Sequence, residues 1–402
     1  MFNRRIYLDY ASLTPIDKRV MKEMKKYSSS AYANASSWYK EGVAAKKALN
    51  EARKKVAGYI HANSADEIIF TSGGTEANNM AILGSIEWLH EQGVEYEAMH
   101  VLISAIEHSS VRECANHLND KGVQIDTVNV KSNGIVDLDD LRKKILPNTA
   151  MVSIMAVNNE IGSIQPIREI AKIIRQSRAK NLQAKAGVTS IFNFQSEIKY
   201  PLFHTDAAQG LLLDLNVEQL GVDFLTLDGS KVYGPRGIGA LYHRHHIPLA
   251  PIIYGGGQEN GLRSGTENIA GIMGFAKALE LVHANRYREN ARLASLRAYF
   301  VSELKLINKD ITVNGDLETS STHIANISIP GIDSEFFVLQ LDARGIACST
   351  KSSCLRDESE SFVLKAIGAN SKTSIRFSFG RNTKISQIKK TIRVIGELLR
   401  AK

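Results

Sequence analysis

Residues 226–239 have the sequence Thr-Leu-Asp-Gly-Ser-Lys-Val-Tyr-Gly-Pro-Arg-Gly-Ile-Gly. The apolar stretch from Asp223 to Leu227 predicts a strand, and Lys231 follows it on a turn that leads into a glycine-rich bend. A lysine amine becomes a covalent catalyst when it is held rigidly beside a carbonyl group, and the glycines leave room for a flat cofactor. A solvated loop lysine is the alternative interpretation of this stretch taken alone.

An acid and an amide lie upstream of the lysine, after another apolar stretch, in His204-Thr-Asp-Ala-Ala-Gln-Gly210. Pyridoxal phosphate works as an electron sink only while its ring nitrogen carries a proton. Asp206, at a predicted strand end, can hold that proton, and Gln209 adds a polar group nearby. The combination of an acid and a Schiff-base lysine is therefore typical of an enzyme that uses pyridoxal phosphate.

A third segment, Phe70-Thr-Ser-Gly-Gly-Thr-Glu-Ala-Asn78, predicts a strand that passes through two glycines into the start of a helix. Glycines let backbone N–H groups approach an anion, and the helix N-terminus adds partial positive charge. Gly74 and the hydroxyl of Thr75 are therefore candidates for binding the phosphate group. An ordinary capped helix is the alternative.

Short apolar segments alternate with helical patterns along most of the chain, which predicts a doubly wound α/β fold with a mainly parallel sheet. The candidate cofactor residues follow predicted strands, at the edge where open α/β sheets bind ligands. Beyond this region, a long helical stretch from Asn268 to Leu306 leads into a smaller α+β segment. Seven strands are expected at Ile68–Thr71, Val101–Ala105, Gln124–Val128, Met151–Ala156, Phe203–Asp206, Phe224–Leu227 and Gly239–Tyr242.

Composition excludes several classes of protein. The 402 residues include no apolar run near the roughly 18 that a membrane helix needs, and the first residues do not form a signal peptide, so we expect a cytoplasmic protein. The net charge of +8 is assigned to solvated helix faces, with a surface for an acidic partner as the alternative. Direct nucleic-acid binding is not expected, because aromatic and basic residues do not alternate as they do in RNA-reading modules. Three cysteines, an odd number, argue for reduced thiols, and a Cys-x5-Cys spacing matches no common zinc site.

Taken together, these segments resemble the cysteine desulfurases, a branch of the class V aminotransferase family with the fold of type I pyridoxal phosphate-dependent transferases. The resemblance covers nearly the whole chain. It implies a large cofactor-binding domain at 15–263 with a seven-stranded sheet, and a small α+β domain formed by 1–14 and 264–402. Its motifs include Ile6–Ala11, Ala33–Ser37, Thr71–Thr75, Ala105–His108, Val157–Gly162, Gly255–Glu259, Leu262–Asn268 and Ser374–Ser378.

The resemblance implies that the chain converts L-cysteine to L-alanine and carries the sulfur as a persulfide on Cys354. Lys231 would form the Schiff base, and His108 would stack on the cofactor ring and relay protons. Cys354 lies in Ala347-Cys-Ser-Thr-Lys-Ser-Ser-Cys-Leu355, which is similar to the catalytic cysteine loop of the family. Cys114 and Cys348 are interpreted as inert core thiols.

The other implied roles concern binding. Arg376 would clamp the substrate carboxylate, with help from Asn34 and Asn159. Thr266 would reach the cofactor phosphate of a neighbouring subunit, which implies a homodimer. The persulfide would pass to a sulfur-acceptor protein, either an iron–sulfur scaffold or a transfer RNA thiolation enzyme. The implied cofactor-binding residues are Gly74, Thr75, His108, Asn159, Asp206, Gln209, Asp228, Ser230, Lys231 and Thr266, and no metal is implied.

Several residues depart from the family pattern. Asp228 and Ser230 stand where the family has a serine and a histidine, and a carboxylate repels a phosphate dianion unless it is protonated or turned away. Lys351 replaces a glycine of the cysteine loop, where it could lower the thiol pKa or reduce flexibility. An insertion near 178–200 is interpreted as a surface excursion, with docking of a partner as the alternative.

Three other functions remain open at this stage. A selenocysteine lyase would share the cofactor residues and differ in substrate. Another class V enzyme, such as a kynureninase-like hydrolase, would not need Cys354. A degenerate, non-catalytic scaffold for sulfur relay is the alternative that Asp228 and Lys351 motivate.

Overall fold

A central sheet of seven strands holds together the larger part of the described chain, and its order is β2-β8-β7-β6-β5-β3-β4. The computed structural model describes residues 5–29, 31–184, 199–350 and 360–401. The strands are β1 Ile6–Tyr7, β2 Ile68–Thr71, β3 His100–Ser104, β4 Gln124–Val128, β5 Thr149–Ser153, β6 Leu202–Asp206, β7 Phe224–Asp228, β8 Gly239–His243, β9 Thr312–Val313, β10 Ile324–Ser328, β11 Ile346–Ala347 and β12 Ser374–Ser378.

Helices follow most of these strands and cover the sheet. They are α1 Lys18–Ser29, α2 Lys40–Tyr59, α3 Gly74–Glu91, α4 Ser109–Asp120, α5 Leu138–Lys144, α6 Ile167–Ala184, α7 Val217–Leu220, α8 Ile269–Ile307, α9 Ser334–Ala343, α10 Phe362–Ala366 and α11 Ile385–Arg400. Every residue of β3, β5 and β6 is buried, as expected for parallel strands with helices on both faces. The edge strand β4 leaves Gln124 and Thr127 exposed.

The sequence-based strand predictions are confirmed in number and, within two or three residues, in position. Only β8 runs antiparallel to its neighbours in this sheet, against β2 on one side and β7 on the other. β5 begins two residues earlier than expected, at Thr149, which pairs with His100 of β3. The Thr149 hydroxyl is buried there and lies 2.8 Å from Nδ1 of His100. The mainly parallel α/β fold is therefore as predicted.

A second hydrophobic core lies under the three-stranded antiparallel sheet β12-β10-β9. The rings of Phe300 and Phe377 meet there edge to face, with centroids 4.9 Å apart. The N-terminal strand β1 pairs in parallel with β11, and Ile6 and Leu8 join the same core. The division at 14/15 and 263/264 stays a prediction.

The long helix α8 contacts both cores. Its N-terminal part packs Phe275 and Ala278 into the core beside the central sheet, and its C-terminal part packs Phe300 and Leu304 into the second core. Asn268 caps the helix by accepting a hydrogen bond from the Gly271 N–H at 3.0 Å. The helix therefore begins at Ile269, one residue after its predicted start at Asn268. None of the helices found in the described ranges is long and apolar enough to cross a membrane.

Candidate active site

A pocket opens where the parallel strands of the central sheet end, between that sheet and the smaller core. Three strands each supply a polar residue at or just beyond their carboxyl ends, namely Asn159 after β5, Asp206 at the end of β6 and Asp228 at the end of β7. Nine of the residues predicted from sequence line this one pocket. They are Gly74, Thr75, His108, Asn159, Asp206, Gln209, Asp228, Lys231 and Arg376.

Asp206 is 6% exposed, and two N–H donors hold its carboxylate. One oxygen accepts from the Asn78 side-chain amide at 2.8 Å, and the other accepts from the Ala208 backbone N–H at 2.9 Å. Two hydrogen bonds, one to each oxygen, fix the orientation of the carboxylate. Asp206 therefore lines the pocket with its carboxylate fixed in orientation.

Asn78 also links Asp206 to His108. Its amide nitrogen donates to the Ser110 hydroxyl oxygen at 2.8 Å, and that hydroxyl lies 2.9 Å from Nδ1 of His108. The Ser110 backbone N–H donates to the same Nδ1 at 3.2 Å, so Nδ1 is an acceptor and the neutral imidazole carries its proton on Nε2. Neither Asn78 nor Ser110 was predicted as a site residue from the sequence. The signal was present, because Asn78 follows the Gly74–Thr75 turn by one helical turn.

The predicted anion cradle is formed by the turn between β2 and α3. Gly73 has φ of +154° and precedes the first residue of the helix, Gly74. Residues 226–239 pack against this turn, since a Cβ on Gly239 would lie 2.8 Å from the Gly73 backbone. Asp228 reaches into the cradle, where its two oxygens accept from the Gly74 N–H at 3.1 Å and the Ser230 N–H at 2.7 Å.

Lys231 ends a short 3-10 turn that neighbouring backbone holds rigid. A Cβ on Gly229 would lie 2.7 Å from the Pro235 carbonyl oxygen, so the bend requires glycine at that position. Thr14 anchors the turn from outside, because its hydroxyl donates to the Ser230 carbonyl at 2.7 Å. The Lys231 amine is half-buried and donates to the Ser12 carbonyl oxygen.

Arg376 lies in the middle of β12, and its side chain is 1% exposed. One terminal nitrogen donates to Asp9 at 2.8 Å and to the Ser12 hydroxyl at 2.6 Å, and the other donates to the Asn159 carbonyl at 2.8 Å. Nε has no hydrogen-bond partner among the described residues. The guanidinium group is thus fixed in orientation with a donor still available. The roles of Asp9 and Ser12 in holding it were not predicted.

Gln209 is oriented by two buried neighbours. Its amide nitrogen donates to the Ala11 carbonyl at 2.7 Å, and its oxygen lies 3.2 Å from Nε2 of His323. Burial lowers the pKa of His323 to about 3, so this imidazole is neutral. Nδ1 of His323 lies 2.6 Å from the Ser321 hydroxyl, and with the proton on Nε2 the histidine donates to Gln209. One N–H of the Gln209 amide remains for the pocket.

Three predicted site residues among the described ones do not line this pocket. Asn34 is exposed and accepts from the Ser36 N–H at 2.9 Å. Thr266 is exposed and lies in a separate cleft beside Ser72 and Arg263. Ser230 contacts Asp228 through its backbone N–H at 2.7 Å. Cys354 lies outside the described residues, as do Lys351 and most of the insertion near 178–200.

The other two cysteines are packed against apolar side chains. Cys114 is 3% exposed, and burial raises the pKa of its thiol to about 12. Burial also raises the pKa of the Cys348 thiol, which packs against the second core. A thiol with a raised pKa is a poor nucleophile at neutral pH. In the part of the chain that the structure covers, no group of three or more His, Cys, Asp or Glu residues could hold a metal ion.

Comparison with known proteins places these features in a family. Residues 6–184 and 187–391 match the family model described as aminotransferase class V. The cysteine desulfurase IscS of Dictyoglomus turgidum is 39% identical over 402 residues, which cover 98% of this chain and 95% of that protein. A solved NifS-like protein superimposes with a TM-score of 0.87 at 30% identity, covering 99% of this chain and 100% of the other. A second solved structure, SspA in complex with cysteine, has a TM-score of 0.74 at 31% identity and covers 93% of this chain and 98% of its own. The chain therefore belongs to the class V aminotransferase family and, within it, to the cysteine desulfurases.

Proposed function

We propose that this chain is a pyridoxal phosphate-dependent enzyme that takes the sulfur of L-cysteine onto Cys354 and releases L-alanine. The observation that carries the proposal is the meeting of Asp206, Lys231 and Arg376 in one pocket, although they lie on different elements far apart in sequence. An acceptor for a ring proton, an amine and a fixed guanidinium fork are the groups that such chemistry on an amino acid requires.

Apart from Asp228, the residues that line the pocket fit pyridoxal phosphate. The pocket is lined by a buried carboxylate, Asp206, and by a glycine turn at a helix N-terminus, at Gly74. His108 and Lys231 also line the pocket. When bound, the cofactor draws electrons from the substrate's α-carbon. Asp206 would hold the proton of the ring nitrogen, and the remaining N–H of Gln209 would donate to the phenolic oxygen.

Substrate orientation follows from Arg376. Asp9, Ser12 and the Asn159 carbonyl use three of its five N–H groups, and they fix the plane of the guanidinium. The unpartnered Nε–H, together with an Nη2–H released by the Ser12 hydroxyl, would bind the carboxylate of L-cysteine. Because a guanidinium and a carboxylate match in plane as well as in charge, this contact would also orient the α-carbon. Lys231 would then take the α-proton on Nζ, and His108 would move a proton through Nε2.

Sulfur transfer is assigned to Cys354. Its thiolate would attack the sulfur of the substrate, so that an S–S bond forms while the carbon–sulfur bond of cysteine breaks. The electron pair of the broken bond stays with the carbon skeleton, which takes up protons and leaves as alanine. The persulfide is a carrier, and a thiol reductant or a sulfur-acceptor protein must remove it before the next turnover. Neither Cys114 nor Cys348 suits the role, because burial raises both thiol pKa values.

A homodimer is proposed on the placement of Thr266 and Asn34. Both are exposed and lie outside the pocket of their own chain. Across a dimer interface they could serve the partner's site. We also propose a cytoplasmic location for the protein. As the sulfur acceptor we propose either an iron–sulfur scaffold or a transfer RNA thiolation enzyme.

Alanine release from L-cysteine tests the function directly. The purified protein is assayed with pyridoxal phosphate and a thiol reductant, beside Cys354→Ser and the matched control Cys348→Ser. We expect alanine from the wild type and from Cys348→Ser but not from Cys354→Ser. Alanine from all three would refute the role of Cys354 and favour another class V chemistry. A strong preference for selenocysteine over cysteine would indicate a selenocysteine lyase, and no alanine from any of them would favour a non-catalytic scaffold.

A further inference from the structure

We propose that Asp228 competes with the cofactor phosphate for the N-terminus of α3, so that this chain discriminates against the phosphorylated form of its cofactor. The inference rests on the proposed function, because it concerns the affinity of the same pocket for pyridoxal phosphate. It concerns a feature of this chain in particular, the carboxylate at residue 228.

Asp228 is fixed against the helix by both of its oxygens. Oδ2 accepts from the Gly74 N–H at 3.1 Å, and Oδ1 accepts from the Ser230 N–H at 2.7 Å. The fit is close, since a Cβ built on Gly74 would lie 3.2 Å from Oδ2. The carboxylate therefore contacts the first amide of the helix directly, with no side chain between them.

Asp228 occupies a position at the pocket that attracts anions, the N-terminus of α3. Gly74 is the first residue of an 18-residue helix, and its amide, like those of Thr75 and Glu76, has no acceptor within the helix. These amides and the helix dipole together attract negative charge. Asp228 already satisfies the Gly74 amide with an anion that belongs to the chain.

A phosphate at this helix end would lose one donor and gain a charged neighbour. The Gly74 N–H would have to leave Asp228 or be shared with it, and a carboxylate within contact distance repels a phosphate dianion. Pyridoxal, which lacks the phosphate, meets neither obstacle. The carboxylate should therefore lower affinity for pyridoxal phosphate much more than affinity for pyridoxal.

Asp228→Asn tests the effect of the negative charge, because it removes that charge at nearly constant side-chain size. The asparagine oxygen can still accept from the Ser230 N–H, while its NH2 group would face the Gly74 N–H as a second donor and leave that amide for phosphate. Asp139→Asn is the matched control, because Asp139 is 80% exposed and pairs with Arg142 on the surface of α5. Asp228→Ser is a second variant, of smaller size, in case the asparagine disturbs the turn.

The experiment titrates cofactor-free protein with pyridoxal phosphate and, separately, with pyridoxal, following the absorbance change that a Lys231→Ala variant does not show. We expect Asp228→Asn and Asp228→Ser to bind pyridoxal phosphate at least tenfold more tightly than wild type, with pyridoxal affinity changed less than threefold. Asp139→Asn should match wild type with both ligands. The increase in melting temperature that pyridoxal phosphate causes should be larger in the Asp228 variants.

Two results would overturn the inference. If both ligands bind through Lys231 but their affinity ratio is the same in wild type and in the Asp228 variants, Asp228 does not compete, and the proposed function stands. If neither ligand gives a Lys231-dependent signal in any protein, the proposed function fails and this inference fails with it.

Discussion

Glu107 provides a test of the interior next to the site. It directly precedes His108 and is fully buried. One of its oxygens accepts from the Ser104 hydroxyl and from the Met155 N–H at 2.8 Å, while the other has no hydrogen-bond partner among the described residues. Burial raises the pKa of Glu107 to about 8, and the nearby charge of Asp206 acts in the same direction. We expect Glu107→Gln to stabilise the protein increasingly as the pH rises.

The magnitude follows from proton linkage. The pKa is raised from 4.5 in the unfolded chain to about 8 in the folded protein, so the folded state retains a proton that the unfolded state releases. The stability that this proton contributes is complete below pH 4.5 and is lost as the pH rises to about 8. Each pH unit in that window changes the free energy of unfolding by about 1.4 kcal/mol. Between pH 5 and pH 8 the wild type should therefore lose roughly 3–4 kcal/mol that the glutamine variant keeps.

Equilibrium urea denaturation at pH 5, 6.5 and 8 measures the difference. Glu113→Gln is the control, because Glu113 is exposed on α4, a few residues away in the same region. The unfolding free energy of Glu107→Gln minus that of wild type should rise by roughly 3–4 kcal/mol across this range, and that of the control should stay constant. A difference for Glu107→Gln that is independent of pH, or that falls as the pH rises, would refute the reasoning.

Two substitutions test the contacts that hold the site. Asn78→Leu removes two hydrogen bonds of 2.8 Å each, one to Asp206 and one to the Ser110 hydroxyl that supports His108. We therefore expect the free energy of unfolding, measured in urea, to fall by about 2–4 kcal/mol. An unchanged value would mean that these bonds make no net contribution to stability. Arg376→Lys keeps the positive charge but loses the planar guanidinium. We therefore expect KM for L-cysteine to rise at least about tenfold while the Kd for pyridoxal phosphate stays constant. An unchanged KM would show that Arg376 does not bind the substrate.

The sheet was predictable from sequence because its inner strands are buried on both faces and form continuous apolar runs. The five inner strands agree with their predicted bounds within three residues, and the two edge strands, Ile68–Thr71 and Gln124–Val128, agree at both ends. The residues at strand ends were predictable for a related reason, since the carboxyl ends of parallel strands meet at one edge. Asp206 ends β6 and Lys231 follows the neighbouring strand β7, so the two residues lie in one pocket.

The contacts that orient those residues were not predictable in the same way. Asp9 meets Arg376 across 367 residues, and Asn78 meets Asp206 across 128. Such pairs depend on how β1, β12 and α3 pack around the pocket, which no local pattern encodes. The acid at 228 was recognised as unusual, but its contact with the Gly74 amide depends on the close approach of the turn after β2 to the end of β7.

Acidic side chains outnumber basic ones at the pocket, although the chain as a whole is basic. The chain carries +8 overall, yet three carboxylates, Asp9, Asp206 and Asp228, lie at the pocket or hold its residues, against the two cations Lys231 and Arg376. A cofactor phosphate and a substrate carboxylate would both add negative charge. Asp206 would be offset by the ring proton and Asp9 is already paired with Arg376, so Asp228 is the carboxylate in this set whose charge the proposed chemistry leaves uncompensated. Cofactor loading, more than substrate binding, is therefore the step at which this chain should differ from one with a neutral residue at 228.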